Sequence, residues 1–448
     1  VIGEVVPGAV DVAIVGGGAA GLALAIFAGR RMPDRTIVIL DGAKTLGAKM
    51  LMAGGGRCNV TNRVVTPVDF CGGSRNIIKR VLAAFPFEKT VAFFEEIGVE
   101  LHEEQNGKLF PNTNSARTVV NALQDEACRC GVHILTKHRV TGIERCDHGF
   151  RIAAGTASLK AQQVVLATGG QSLPKTGSDG KGYGLAQGLG HTLVPTTPAL
   201  APLVLAGDFH STLSGVSQGV ELVVSAEGWK GVRVRGPLLW THCGISGPAP
   251  LDASRYWHRA RLEGREVSVH VNFLPGDHFV EAERKLLSLV SSQPRAFLRN
   301  TLSRLIPAKV AEAVLRQLEM GGELVMAHLS KDWRRKLVHS LLAWPLPVRD
   351  SRGYGYAEVT AGGVPLHEID PGSMASRKCP GLFLVGELLD VDGRLGGFNF
   401  QWAWSSAWVA ASGIDIGPTS LPSPIRDDRE QFGRRSTRPG FSSRSPFE

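Results

Sequence analysis

Six residues near the start of the chain, Gly16-Gly17-Gly18-Ala19-Ala20-Gly21, limit what it can fold into more than any other feature. Their spacing is G-x-G-x-x-G. Residues 11–15 before them read as a short buried strand and residues 19–31 as a helix. In that setting Gly16 makes a tight turn, Gly18 leaves the backbone open to a pyrophosphate, and Gly21 lets helix and strand pack closely. The helix N-terminus adds unpaired N–H groups and a partial positive charge. A second β-branched strand, residues 36–40, ends in Asp41, twenty positions after Gly21, where a carboxylate accepts hydrogen bonds from both ribose hydroxyls of an adenosine. The competing reading, a glycine-rich turn beside a solvated aspartate, leaves the register of strand, helix and acid unexplained. A dinucleotide-binding βαβ unit is expected, and NAD and FAD both satisfy it.

A chain of 448 residues is long enough for two or three structural units and a large buried cofactor. Its 54 glycines follow no period, so they mark tight turns and close backbone approaches. The seven cysteines are scattered and odd in number, with no C-x-x-C pair, so neither a disulfide framework nor a zinc site is indicated and no metal is expected. A reducing, cytoplasmic setting fits this usage, and no apolar run is long enough for a membrane span. The net charge of +9 permits attraction to phosphate-rich partners.

The predicted organisation follows from changes in pattern along the chain. A glycine- and asparagine-rich loop over residues 46–63 is followed by helices at 75–84 and 88–97. Asn106-Gly107 signals a hairpin, Ser115 an N-cap, and residues 132–135, 140–145, 150–153 and 164–167 read as strands. Short strands with Gly and Pro turns dominate residues 191–272, and a helical period runs over 277–344. Residues 1–190 are thus expected to form the first part of the dinucleotide domain, 191–276 a β-rich middle domain and 277–344 a helical insert. Residues 345–416 return to both earlier domains, and 417–448, rich in Pro, Ser and Arg, are expected to be disordered. That tail holds six Arg against four acids, so most of the positive charge lies in the body.

The choice of FAD over NAD rests on segments outside the first βαβ. Lys49 and the run Gly54-Gly55-Gly56-Arg57-Cys58-Asn59 offer a cation, backbone donors and an amide beside the adenosine-binding half, suited to a pyrophosphate and the polar edge of an isoalloxazine. Ala167-Thr168-Gly169-Gly170 ends a strand as the turns beside a flavin do. Gly386-Glu387-Leu388-Leu389-Asp390 follows a buried strand, and Gly396-Gly397-Phe398-Asn399 leads into the last helix, whose N-terminus would stabilise negative charge on a reduced ring.

Together with Thr241-His242-Cys243-Gly244-Ile245-Ser246-Gly247-Pro248 and Val359-Thr360-Ala361-Gly362-Gly363-Val364, these motifs resemble the BaiN/RdsA-type NAD(P)/FAD-dependent oxidoreductases, also called aminoacetone-oxidase-like flavoproteins. The resemblance runs over residues 11–413. It implies an α/β fold: a Rossmann-type FAD-binding domain built from both chain ends, with an inserted β-barrel-like domain and a small helical insert. The cofactor-binding set it implies is Gly16, Gly18, Ala19, Ala20, Gly21, Asp41, Lys49, Gly55, Gly56, Arg57, Cys58, Asn59, Val140, Thr168, Gly169, Gly386, Glu387, Asp390, Gly396, Gly397, Phe398 and Asn399. Activities in the family include reduction of steroid-like enones, reduction of a uridine in ribosomal RNA and amine oxidation.

The flavin-proximal loop holds only Cys58, which disfavours a disulfide reductase. No second fingerprint follows a strand, so NAD(P)H is expected to visit transiently. For reduction of a conjugated C=C bond a protein acid must supply a proton, and His242, Cys243 and Glu387 are the candidates, His242 having the ordinary pKa best suited to the task. RNA uridine is the preferred substrate because Lys331, Arg334, Arg335 and Lys336 cluster in the insert, though a solvated helix face would look the same. A small-molecule oxidase or ene-reductase and a non-catalytic FAD-binding protein are the alternatives.

Overall fold

The computed structural model describes residues 8–155 and 157–415. Strand β1 (Ala9–Val15), helix α1 (Ala19–Arg31) and strand β2 (Ile37–Leu40) form the expected βαβ unit. Val12, Ala13, Ile14 and all of β2 are buried, which is why these strands read as continuous apolar runs rather than alternating ones. β1 pairs in parallel with β2 and with the long strand Ala157–Leu166, and His133–Leu135 extends the sheet beyond β2. The long strand then serves two partners. Its first half pairs antiparallel with Gly149–Ala154, which pairs in turn with Val140–Cys146, while its end pairs in parallel with Leu382–Leu384. The C-terminal part of the chain therefore completes the N-terminal sheet.

The last helix, Phe398–Asp415, fastens this arrangement. Trp408 packs edge-on against Phe27 of α1 at 5.1 Å between ring centroids. Buried Gln401 accepts from Thr61 and Thr90 (2.6 and 2.9 Å) and donates to the Phe85 carbonyl (2.8 Å), so its amide is satisfied without water. Trp404 donates to the Val60 carbonyl at 2.9 Å. Each large apolar side chain buried here contributes roughly 1.5–3 kcal/mol, and the buried amide and indole fix the register of the contact.

A second core is built on an antiparallel sheet of seven strands in the order Trp344–Leu346, Val267–Asn272, Ser217–Ala226, Val232–Thr241, Gly244–Ser246, Leu203–Leu205 and Val348–Ser351. Its two edge strands are consecutive in the chain, separated only by Pro347, so the sheet must curl until its edges meet. That is the barrel-like form expected. Helices Phe279–Ser292, Leu298–Leu302, Ala308–Gln317 and Lys331–Leu342 pack on it. Ala199, Leu200, Leu251, Val359 and Ala361, with Leu395 against them, form a small third cluster.

Three readings need correction. The 46–63 loop contains a short helix, α2 (Ala48–Gly56), because Lys49, Met50, Leu51 and Met52 are good helix formers; it breaks where Gly54 and Gly55 turn left-handed (φ 59° and 68°). The β-rich stretch is interrupted by a helix, Pro248–Leu262, that begins with two prolines in its first turn and so reads as a turn. Ser115 precedes the helix Ala116–Arg129, but its hydroxyl caps nothing. The Asn106-Gly107 turn does join two paired strands, both residues having positive φ. The expected disordered tail lies outside the described residues. Among the described residues no helix is long and apolar enough to cross a membrane.

Candidate functional site

A cavity of about 510 Å³ lies along the carboxyl end of β1, between the first core and residues 358–359 and 395–403. The fingerprint glycines divide their tasks as the motif demands. A Cβ on Gly16 would stand 2.5 Å from the Ala167 carbonyl and one on Gly21 would stand 1.9 Å from the Gly16 carbonyl, so both are fixed by packing. A Cβ on Gly18 would meet nothing within 4 Å, because Gly18 faces the cavity. Asp41 is aimed by two backbone donors, Gly17 N–H and Ala43 N–H, each at 2.7 Å. Its remaining lone pairs face the cavity, where vicinal hydroxyls would find them.

Lys49 is held by two acceptors. Its Nζ donates to Ser172 Oγ and to Glu387 Oε2, both at 2.5 Å. Glu387 Oε1 accepts from Ser172 Oγ (3.0 Å) and Thr360 N–H (2.9 Å). The carboxylate of Glu387 is thus fully engaged in tying the C-terminal part to the Lys49 helix. Arg57 lines the cavity with its guanidinium over the Phe110 ring at 4.0 Å and pairs with Glu104 at 2.6 Å. Gly397 (φ 92°) lies so close to Thr61 that a Cβ would come within 2.5 Å of its carbonyl, which brings the N-terminus of the last helix to the cavity wall.

Three polar atoms on the wall, Asn59 Oδ1, Thr168 Oγ1 and Ser178 Oγ, are buried without a hydrogen-bond partner. Buried polar atoms are ordinarily satisfied, so this wall is built for a polar ligand. With an acid for a ribose, an open glycine for a pyrophosphate, a cation and a second helix N-terminus, the residues fit a flavin dinucleotide.

Of the residues expected to bind the cofactor, Gly16, Gly18, Ala19, Ala20, Asp41, Lys49, Gly55, Arg57, Asn59, Val140, Thr168, Gly169, Gly386, Glu387, Gly396, Gly397 and Asn399 line the cavity. Asn399 does so without its amide, which braces the Gly393 backbone at 2.8 and 2.9 Å. Gly21, Cys58, Asp390 and Phe398 lie behind the wall, and Gly56 is exposed outside the lining. Cys58 is wholly buried, which pushes its thiol up to about 12 and leaves it no thiolate character. Phe398 packs edge-on against Phe70, and Asp390 is buried beside Arg259. His242 and Cys243 also lie outside the lining, at the turn between strands Val232–Thr241 and Gly244–Ser246 of the second sheet. Their Gly/Pro context shapes that hairpin: Gly244 has φ 152° and touches the Leu203 carbonyl.

Sequence reasoning missed Arg139, Asp179, Lys108 and Glu358, all on the wall. Arg139 clasps both oxygens of Asp179 at 2.7 Å, beside Asp41 and Gly42. The glycines of residues 177–184 were the available signal. Gly182 leaves room for Thr168, whose hydroxyl would stand 1.9 Å from a Cβ there.

Comparison with known proteins places this geometry among relatives. A family model described as HI0933-like protein Rossmann domain matches residues 10–413. A ribosomal RNA dihydrouridine synthase of Escherichia coli K12 is 35% identical over 413 residues, 92% of this chain and 99% of the relative. The Haemophilus influenzae protein of the same name is 35% identical over 90% of this chain and 97% of its own. A 3-dehydro-bile acid delta(4,6)-reductase of Clostridium scindens is 32% identical over 89% and 97%. Among solved structures, an E. coli quinol fumarate reductase FrdA variant aligns at 18% identity and a TM-score of 0.48 over 91% of this chain and 70% of that one.

Proposed function

The chain belongs to the family of HI0933-like proteins with a Rossmann domain and is an FAD-dependent oxidoreductase, and on that premise we propose that it reduces a uridine of ribosomal RNA to dihydrouridine with NAD(P)H as electron source. Full-length similarity to two ribosomal RNA dihydrouridine synthases carries this reading, since the alignment covers nearly all of both chains. The bound flavin would supply hydride to one carbon of the conjugated double bond. The chain's own residues supply the rest. Asp41 and Gly18 anchor the adenosine and pyrophosphate, with Arg139 and Thr168 beside them. Lys49, fixed by Glu387, and the N-terminus of the last helix favour negative charge on the ring when it is reduced.

The surface of the insert supports an RNA substrate. Lys331, Arg335 and Lys336 are exposed on the helix Lys331–Leu342, and Lys336 lies 5.1 Å from the ring of Trp333, itself 37% exposed. Arg334 is half-buried and paired with Glu283 at 3.1 Å, so three of the four expected cations are available to phosphates. An indole among cations is a platform on which an unpaired base can stack. The reductase of the bile-acid relative supports a second reading, a small-molecule enone entering the same cavity.

The test is incubation of the purified yellow protein with NADPH and ribosomal RNA from cells lacking this modification, followed by nucleoside mass spectrometry. Dihydrouridine is expected. Unmodified RNA, with turnover of a steroid enone instead, would favour the second reading.

A further inference from the structure

Reduction of a conjugated double bond needs an acid as well as a hydride, and the cavity wall identifies one by elimination. Four carboxylates line it: Asp41, Asp179, Glu358 and Glu387. Asp41 is occupied by two backbone N–H groups, Asp179 by the Arg139 guanidinium, and Glu387 by Lys49, Ser172 and Thr360. Among the described residues, the carboxylate of Glu358 alone of the four makes no hydrogen bond and no ion pair.

Its backbone, by contrast, is fixed. Glu358 N–H donates to the Leu200 carbonyl at 3.2 Å, and its own carbonyl accepts from Ser172 Oγ at 3.2 Å. Ser172 is the residue that also holds Lys49 and Glu387, so Glu358 is registered to the same network that positions the cofactor wall. The side chain opens onto the cavity, with protein crowded around its base.

A second carboxyl senses its charge. Asp252, on the helix Pro248–Leu262, accepts from Leu395 N–H at 2.7 Å, and Leu395 lines the same cavity. Asp252 and Glu358 repel each other when both are charged. The cations that face them are Lys49 and Lys108 toward Glu358, and Arg394 and Lys108 toward Asp252.

We propose that Glu358, the one unpaired carboxyl on the wall among the described residues, is the acid that protonates the substrate carbon. The inference rests on the reductase reading. As hydride adds to one carbon of the C=C bond, the π electrons form the new C–H bond at the other, taking the proton from the Glu358 carboxyl. The O–H bond breaks, Glu358 is left as carboxylate, and water restores its proton. The two electrons come from NAD(P)H through the flavin. The side chain is exposed to the cavity, and desolvation by the wall raises its carboxyl against the opposing pull of Lys49 and Lys108.

The test is anaerobic double mixing of holoenzyme between pH 5.5 and 8.5. The flavin is first reduced with NADPH, then mixed with uridine-containing RNA or a steroid enone, and its reoxidation is followed. With Glu358→Gln, flavin content reports folding, and reoxidation by the acceptor is expected to slow by roughly 100-fold or more. A carboxyl carbon NMR titration of the same proteins is expected to show a carboxyl titrating above the ordinary glutamate range that Glu358→Gln removes. Should the glutamine variant fail to fold, Glu358→Asp is expected to keep the pH profile at a rate at least tenfold lower. A Gln variant within threefold of wild type, or an Asp variant at the full rate, overturns the assignment. Wild-type protein that reoxidises with neither acceptor overturns the reductase reading itself, a result distinct from the other two.

Discussion

Gly18 and Gly21 are three positions apart and chemically identical, yet substitution should separate them cleanly. Gly18→Val places its side chain in the cavity, where no protein atom waits, so the fold is expected to survive while flavin affinity falls tenfold or more. Gly21→Ala drives a Cβ into the Gly16 carbonyl and should lower the melting temperature with the flavin absent. Thermal melts and flavin fluorescence titrations read the two effects separately. Asp252 makes a different residue-level prediction. Its folded pKa lies above the unfolded value, so the folded state binds the extra proton between roughly pH 4 and 6 and stability falls as pH rises through that window. Asp252→Asn removes that penalty while keeping an acceptor for Leu395. It is expected to gain on the order of 2 kcal/mol at pH 7 and nothing below pH 4, read by urea denaturation at the two values. The glycines and Asp41 were legible because their spacing encodes backbone geometry directly. Glu358 was not, because what distinguishes it is the lack of a partner, which only the assembled wall reveals.

At the scale of elements, continuous apolar runs and helical periodicity marked most of the central strands and helices, and the reading failed where a start signal looked like a turn. The helix Pro248–Leu262 opens Pro-Ala-Pro, and its charged face hides the apolar one formed by Leu251, Ala253 and Trp257. His242 and Cys243, expected as candidate acids, lie at a strand reversal outside the cavity lining. The helix Lys331–Leu342 was read correctly as basic, but the sequence did not reveal that Arg334 is paired and Trp333 exposed. Alanine at Lys331, Arg335 and Lys336 together is expected to weaken RNA binding and reduce the slope of log affinity against log salt by about 2, at roughly 0.7 per phosphate contact on single strands. Trp333→Ala should lower affinity with the salt slope unchanged. Electrophoretic or fluorescence binding isotherms at several salt concentrations distinguish them, and an unchanged slope in the triple variant would remove this helix from the RNA surface.

Across the whole molecule, the two chain ends form one cofactor wall: β1, α1 and Asp41 from the first 41 residues, Gly386 to Asn399 from the last described stretch. Gly386 packs so tightly on Ala20 that a Cβ would stand 2.9 Å from its side chain, and Lys49 and Glu387 close the gap with an ion pair. That closure was legible as two glycine-rich helix entries at opposite ends, whereas the second body between them gave only its strand content, because the curling of its sheet depends on pairing that no local pattern records. The central claim, that this wall holds a flavin which passes electrons from NAD(P)H to a double bond in RNA, is tested most directly by anaerobic stopped-flow. The purified yellow protein is mixed with NADPH and then with unmodified ribosomal RNA. The account predicts bleaching of the flavin band on the first mixing and its return on the second, with dihydrouridine formed in proportion; a band that stays bleached until oxygen is admitted, with the RNA unchanged, would contradict it.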